Sequence, residues 1–163
     1  MERTGGCVCG YVRYRADGAT TDETCCHCSI CRRTSGAPFV AWFTIPVASF
    51  QVVAGNPANH RSSVHGTRTF CPRCGTPLTF RSTHTPGEID VTTCSLDDPE
   101  AVPPADHTWT SARLSWVKVA DGLPTFPGAR EAKTRPPKAK TPKGKTTKPK
   151  TKARPASAGR GAR

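Results

Sequence analysis

The chain has 163 residues, with 24 Lys and Arg against 12 Asp and Glu, and a formal net charge of +12 at pH 7. This length suffices for one domain with its own core. No apolar run approaches a membrane span, and the N-terminus lacks the apolar segment of a signal peptide. We therefore expect a soluble protein without membrane partners, in the cytoplasm.

The positive charge is confined to the C-terminal segment. Residues 1–128 contain eleven basic and eleven acidic residues, whereas residues 129–163 contain thirteen basic residues and one acidic residue, Glu131. This segment consists mainly of Lys, Pro, Thr, Ala and Gly, so it cannot bury enough apolar area to offset the entropy of ordering it. We predict a single folded domain at 1–128 and a disordered basic tail at 129–163.

The domain reads as a series of short β-type segments separated by Gly and Pro turns. The opening at 5–10 is a Gly-rich turn, and 34–38 is a loop. Strands are predicted at 11–15, 39–45, 50–54, 78–82, 88–94 and 107–112, a hairpin at 60–64 and 67–70, and a helical turn or a strand at 114–120. Because no long segment has a 3.6-residue period, the prediction is an all-β fold.

Nine cysteines provide the strongest chemical signal. Seven of them form three groups: Cys7 with Cys9, Cys26 with Cys28 and Cys31, and Cys71 with Cys74. In a reducing compartment, C-x-C and C-x-x-C spacings favour metal binding, although a disulfide framework is the alternative. Closely spaced thiolates repel one another unless a cation holds them, and zinc is the first candidate.

Two of the groups together make a complete structural site. A structural zinc needs four ligands, commonly two pairs from separate tight turns. The C-x-C pair near the start and the C-x-x-C pair some sixty residues later supply them, and the alternative is that these thiols are free or partly oxidised. The predicted ligands of this zinc are Cys7, Cys9, Cys71 and Cys74.

The remaining group has three ligands, Cys26, Cys28 and Cys31, and therefore leaves one position of a tetrahedral zinc open. His27 is a fourth ligand, a general base or a solvated side chain, and the solvated side chain is the expectation. Arg32 and Arg33 either offset the negative charge of three thiolates on zinc, attract an anionic ligand, or are plain surface charge.

Two cysteines lie outside these groups. Cys25 directly precedes the second group and competes as a ligand, but we expect a buried thiol that behaves as a small apolar residue. Cys94 lies in a strand-like segment, and we expect it in the core.

Four ordered motifs resemble the glutathione-dependent formaldehyde-activating enzyme family, also called the CENP-V/GFA domain. They are GCVCGYVRY at 6–14, CHCSICRR at 26–33, GAPF at 36–39 and FCPRCGTPL at 70–78. LDDP at 96–99, Trp116 and GLP at 122–124 add support. The resemblance covers about residues 4–127 and excludes the tail.

This resemblance implies an Mss4-like, zinc-containing β fold with the two metals divided as above. It also implies a carbon–sulfur lyase activity, the addition of glutathione to formaldehyde, at the zinc of Cys26, Cys28 and Cys31. Other small thiols or aldehydes are alternative substrates. Arg32, Arg33 and His27 are the candidates for contacting the carboxylates of glutathione.

The tail suggests a competing function. A flexible polycation binds nucleic acid by counterion release, without sequence preference and with strong salt dependence. Its other interpretation is a solvated extension that promotes solubility or makes a general acidic contact. The two functions considered are thus a zinc enzyme with a basic appendage and a non-catalytic zinc-stabilised module, thiol-binding or associated with nucleic acid, that the tail places on DNA or RNA. The tail also makes a nucleoid or nuclear location the alternative to the cytoplasm.

Overall fold

The computed structural model describes residues 2–130, which form ten short β-strands, one α-helix and four 3₁₀ turns. The all-β prediction is confirmed, since the helix has only seven residues. The predicted disorder of the tail concerns residues that, from 131 on, lie outside the described part. The elements are β1 (Arg3–Gly6), β2 (Arg13–Ala16), β3 (Thr21–Cys26), α1 (Ser29–Ser35), β4 (Val40–Pro46), β5 (Phe50–Ala54), β6 (Ala58–Arg61), β7 (Gly66–Phe70), β8 (Pro77–Ser82), β9 (Glu88–Thr92) and β10 (Asp106–Thr108).

The strands form two sheets. The smaller sheet has the order β1-β2-β5, and the larger has the order β10-β3-β4-β9-β8-β7-β6. All pairings are antiparallel except that of β10 with β3. Antiparallel sheets commonly bury one face and leave the other for solvent or ligands.

The hydrophobic core takes side chains from both sheets. Phe43 and Ile45 of β4, Ile89 and Val91 of β9, and Tyr14 of β2 are all at most 5% exposed and belong to one cluster. Successive residues of a strand point to opposite faces. The intervening positions of β4 and β9 therefore face the other side of the large sheet.

Most predicted strands are present, and the departures have local causes. β1 and β3 were not predicted, because RTGG and TDETCC lack the apolar alternation of a typical strand. β1 overlaps the predicted turn at 5–10 only in its last two residues. The helix α1 was not predicted. Residues 114–120, predicted as a helical turn or a strand, form no strand. They contain a turn in which the N–H of Val117 donates to the carbonyl of Leu114 at 3.0 Å.

Arg130 packs against the domain. Its guanidinium pairs with Asp106 and with Asp22, the latter at 2.6 Å, and donates to the carbonyl of Glu23 at 2.8 Å. The composition of the sequence places Arg130 in the segment predicted to be a disordered tail. Two carboxylates and a carbonyl from distant segments hold it in the structure, and composition alone does not reveal such partners.

Candidate metal centres and the adjoining cavity

The first centre brings together the four cysteines predicted from spacing. The sulfur atoms of Cys7, Cys9, Cys71 and Cys74 all lie within 4.8 Å of one another. The Sγ atoms of Cys7 and Cys9 are 3.5 Å apart, and those of Cys9 and Cys71 are 3.8 Å apart. None of the nine cysteines is disulfide-bonded. This is the donor set of a closed structural zinc site.

Two tight turns build this centre. Gly10 and Gly75 have φ of 75° and 76°, and each donates its N–H to the carbonyl of a cysteine, Cys7 or Cys71, at 2.9 Å. Such a φ favours glycine because a Cβ atom is strained there. Val12 N–H donates to Cys7 Sγ at 3.2 Å, which favours the thiolate. The centre thereby joins the start of the chain to the turn between β7 and β8.

Thr76 lowers the pKa of one exposed thiol of the first centre. Cys74 is exposed, and Thr76 Oγ1 lies 3.2 Å from its sulfur. Hydrogen bonds from Thr76 lower the pKa of Cys74 to about 5. A thiolate is the form that binds zinc, so this turn favours metal capture.

The second centre contains Cys26, Cys28 and Cys31, again with sulfur atoms within 4.8 Å of one another. Cys26 ends β3, and Cys28 is the N-cap of α1, where its Sγ accepts a hydrogen bond from Cys31 N at 3.3 Å. Gly36 ends the helix in the left-handed conformation. A short helix that starts at one ligand and contains another therefore fixes the spacing of the three sulfurs.

Charge in this centre collects on one sulfur. Hydrogen bonding from Cys26 and then Cys31 lowers the pKa of Cys28 to about 2, whereas its contact with Cys28 raises the pKa of Cys26. Three thiols this close can hold one negative charge, but loss of a second proton requires a cation nearby. Three soft sulfur donors without a carboxylate oxygen suit zinc.

His27 is buried, contrary to the expectation of a solvated side chain. It is 0% exposed, and its Nε2 lies 2.9 Å from Nδ1 of His107, which is 2% exposed. His107 Nε2 in turn contacts the Asp121 carboxylate at 2.9 Å. Residue 27 points away from the sulfurs, as expected between two ligands, but into a hydrogen-bonded chain contributed by β10 and the C-terminal segment.

The direction of the hydrogen bonds in this chain follows from the acceptor at its end. A carboxylate only accepts, so His107 Nε2 donates to Asp121. The Nδ1 of a neutral His107 must then accept from His27 Nε2. Burial is the main cause that lowers the pKa of His27, which keeps it neutral. The chain thus braces the segment between Cys26 and Cys28.

The second centre opens on a cavity of about 610 Å³. The cavity covers the face of the large sheet opposite the core. Residues in register on four adjacent strands form a row across it: Arg68 on β7, Phe80 on β8, Asp90 on β9 and Thr44 on β4. Pockets of this size hold small organic ligands.

Arg68 connects this row to the cysteines. Its guanidinium lies over Phe80 at 4.7 Å and over Trp42 at 5.4 Å, and its Nη2 donates to Cys31 Sγ at 3.4 Å. The contact places a permanent positive charge beside the three sulfurs. No spacing in the sequence pointed to Arg68, because a cross-strand register of β7 and β8 brings it here.

Arg32 and Arg33 lie elsewhere. They line a separate cavity of about 270 Å³ with Trp116 and Leu114, and neither lines the cavity of the second centre. Their predicted contact with the carboxylates of a ligand stays a prediction.

The two remaining cysteines differ from each other. Cys25 is 6% exposed and outside both centres, as expected of a small buried thiol. Cys94 is exposed, contrary to the core prediction. It lies in a 3₁₀ turn that follows β9, and there the flanking residues Thr93 and Ser95 point inward instead.

The fold and its thiol clusters define a cysteine-rich β protein with two clusters that could hold metal ions, one with four cysteines and one with three that opens on a cavity. The sequence model of the glutathione-dependent formaldehyde-activating enzymes matches residues 2–112, and the chain belongs to this family. The resemblance inferred from the motifs is thereby confirmed.

Individual proteins similar to the chain include a curated relative and a solved structure. An uncharacterized lyase of Schizosaccharomyces pombe is 32% identical over 83 residues, which make up 51% of this chain. The matched part spans 60% of that curated relative. A crystal structure of a Rhodobacter sphaeroides protein has 23% identity and a TM-score of 0.48, and the match covers 76% of this chain and 98% of that one.

Within residues 2–130, no helix has the length and apolar character needed to cross a bilayer.

Proposed function

We propose that the protein is a zinc-dependent carbon–sulfur lyase-type enzyme that interconverts a thiol and a small aldehyde with their addition product, S-hydroxymethylglutathione when the pair is glutathione and formaldehyde. Family membership supports the reaction class. The name of the yeast relative, a lyase, agrees with it.

One observation carries the proposal. The second centre has three sulfur ligands, and no further His, Cys, Asp or Glu of the described residues joins it. An open position is what distinguishes a catalytic zinc from a structural one. A zinc ion held by Cys26, Cys28 and Cys31 would lower the pKa of an added thiol and so raise its thiolate fraction.

The protein residues around the centre provide binding and orientation. Trp42 and Phe80 give the cavity apolar walls, and Arg68 fixes a positive charge beside them. Holding the thiol and the aldehyde together at one place raises their effective concentration, an advantage over the uncatalysed addition in water.

Exchange spectroscopy by NMR tests the activity. Glutathione and formaldehyde combine without an enzyme, so the measured quantity is the exchange rate with the protein minus the rate without it. We expect the zinc-loaded protein to accelerate the exchange and the Cys28→Ser variant to leave the uncatalysed rate unchanged. Cys94→Ser is the matched control, because Cys94 is an exposed thiol outside both centres. An exchange rate equal to that of the buffer would contradict the proposal for this pair of substrates.

A second function rests on the uneven charge. Thirteen basic residues of the tail, against a neutral domain, favour non-specific nucleic-acid binding. Removal of residues 131–163 should abolish binding of duplex DNA at low salt, and unchanged affinity would exclude this role. The cytoplasmic location, or a nucleoid or nuclear one directed by the tail, stays a prediction.

A further inference from the structure

Arg68 is a half-buried arginine without an acidic partner. No carboxylate pairs with it among the residues that the structure describes, and its Nε is buried without a hydrogen-bond partner. A guanidinium withdrawn from water normally acquires a carboxylate or phosphate. Arg68 therefore retains N–H donors that no carboxylate of the described residues occupies, next to the three sulfurs.

The aromatic residues hold this guanidinium in one orientation. Arg68 and Phe80 are directly opposite each other on β7 and β8, and the Cζ atom of Arg68 lies 4.7 Å from the Phe80 ring centroid and 5.4 Å from that of Trp42. Cation–π contacts of this kind fix a planar cation without neutralising it. The charge remains available to a ligand in the cavity.

The position of Arg68 relative to the cysteines decides what it can contact. Its Nη2 is 3.4 Å from Cys31 Sγ, which uses one of five N–H donors in the guanidinium. A group bound at the open side of the three sulfurs is thus within reach of the same fork. In the proposed reaction, the addition product is bound there, and its oxygen is the atom that Arg68 can reach.

We propose that Arg68 is a catalytic residue that donates a hydrogen bond to the aldehyde oxygen as negative charge develops there. This inference rests on the proposed thiol–aldehyde reaction. As the sulfur–carbon bond forms, the π electron pair of the carbonyl moves to oxygen, and the proton lost by the thiol returns to that oxygen through water. Arg68 keeps its own proton throughout, and no group is oxidised or reduced.

The size of the effect follows from comparable sites. Removing one donor that faces a developing oxyanion typically lowers kcat by about 100-fold or more. Lysine keeps the charge but lacks the planar fork and its stacking, so it substitutes poorly. We therefore expect Arg68→Gln to lower kcat at least 100-fold with little change in KM, and Arg68→Lys to give an intermediate value.

The test combines rates with binding and metal content. Arg81→Gln is the matched control, because Arg81 is an exposed neighbour of Phe80 on the opposite face of β8. All variants are assayed for zinc per chain, for NMR exchange rate, and for binding of glutathione sulfonate and S-methylglutathione. We expect Arg68→Gln to bind glutathione sulfonate, with its added negative charge at sulfur, at least 10-fold more weakly, and S-methylglutathione, whose thioether sulfur is uncharged, as tightly as the unaltered protein does.

The outcomes separate this inference from the function on which it rests. If the unaltered protein does not accelerate exchange, the proposed function fails. If it does, and Arg68→Gln keeps both its kcat and its sulfonate affinity, the role of Arg68 is overturned. If Arg68→Gln loses the second zinc, the Arg68→Lys variant takes its place in the test. An Arg68→Lys variant with full zinc content and full kcat would overturn the inference. The same variant with full zinc content and a reduced kcat would support it.

Discussion

Thr44 Oγ1 donates a hydrogen bond of 2.6 Å to Asp90 Oδ1, between directly opposite residues of β4 and β9. Both side chains line the cavity of the second centre. Asp90 is partly buried, and burial raises its pKa to about 6, although the bond from Thr44 opposes the shift. Asp22 and Glu88 also raise this pKa, and Arg68 lowers it.

The pKa of Asp90 predicts how stability depends on pH. Its folded value lies above the unfolded value of 3.8, so its contribution is greatest below pH 4 and is lost as pH rises through 6. The ionised carboxylate should therefore cost on the order of 3 kcal/mol at neutral pH. We expect Asp90→Asn, whose amide oxygen still accepts from Thr44, to increase the free energy of unfolding at pH 7 by an amount of this order.

Urea unfolding between pH 5 and pH 8 checks this prediction. The difference between Asp90→Asn and the unaltered protein should grow with pH and level off above pH 7. Thr44→Val is the companion variant, because loss of the hydrogen bond should move the midpoint of that pH dependence upward. A difference that stays constant over the whole range would contradict the assignment.

The sequence predicted which cysteines cluster far better than it predicted the cavity around them. C-x-C and C-x-x-C spacings are local, so both groups of cysteines could be identified from the sequence, and so could the strands with apolar alternation. Arg68 and Asp90 reach the cavity only through the pairing register of distant strands. His27 contacts His107, which lies 80 positions later in the sequence, and no local pattern indicates that contact.

The chain of His27, His107 and Asp121 should tune the second metal centre. His107→Ala leaves a buried imidazole nitrogen of His27 without a partner, which typically costs about 1–3 kcal/mol. Because His27 lies between Cys26 and Cys28, we also expect the second centre to release its metal to a chelator about 10-fold more readily. The first centre should keep its metal.

The measurement is metal release to a chromophoric chelator, and we expect two phases in the unaltered protein, one for each centre. Asp121→Asn is the milder variant, since an amide oxygen can still accept from His107 while the charge is lost. Equal acceleration of both phases by His107→Ala would indicate general unfolding instead of a local effect.

The two metal centres should differ in their importance for folding. Structural zinc sites contribute on the order of 10 kcal/mol, which is comparable to the total stability of a typical domain. Cys71→Ser, in the centre that joins the N-terminus to the turn after β7, should therefore leave the chain unfolded. Cys28→Ser should fold and bind one zinc per chain instead of two.

Elemental analysis and circular dichroism of the same samples check these expectations, with Cys94→Ser as the control that binds two zincs. One zinc per chain in the unaltered protein would contradict the second centre. A folded Cys71→Ser variant with one zinc would show that the first centre is dispensable for folding.

Arg130 should be the last residue that contributes to the stability of the domain. Its side chain is 11% exposed and pairs with Asp22, which is 23% exposed, and with Asp106, which is 7% exposed. Removing one partner of a largely buried ion pair costs about 3 kcal/mol, because the other charge stays desolvated. We expect Arg130→Ala to lower the free energy of unfolding by this amount, and removal of residues 131–163 to leave it unchanged.

Lys133→Ala is the matched control, since it removes a positive charge of the basic segment beyond Arg130. Urea unfolding at two salt concentrations separates the effects, because a largely buried pair is screened much less than an exposed charge. If Arg130→Ala and Lys133→Ala unfold at the same urea concentration, the ion pairs of Arg130 do not stabilise the domain. The end of the folded unit would then lie before residue 129, where the composition of the sequence places it.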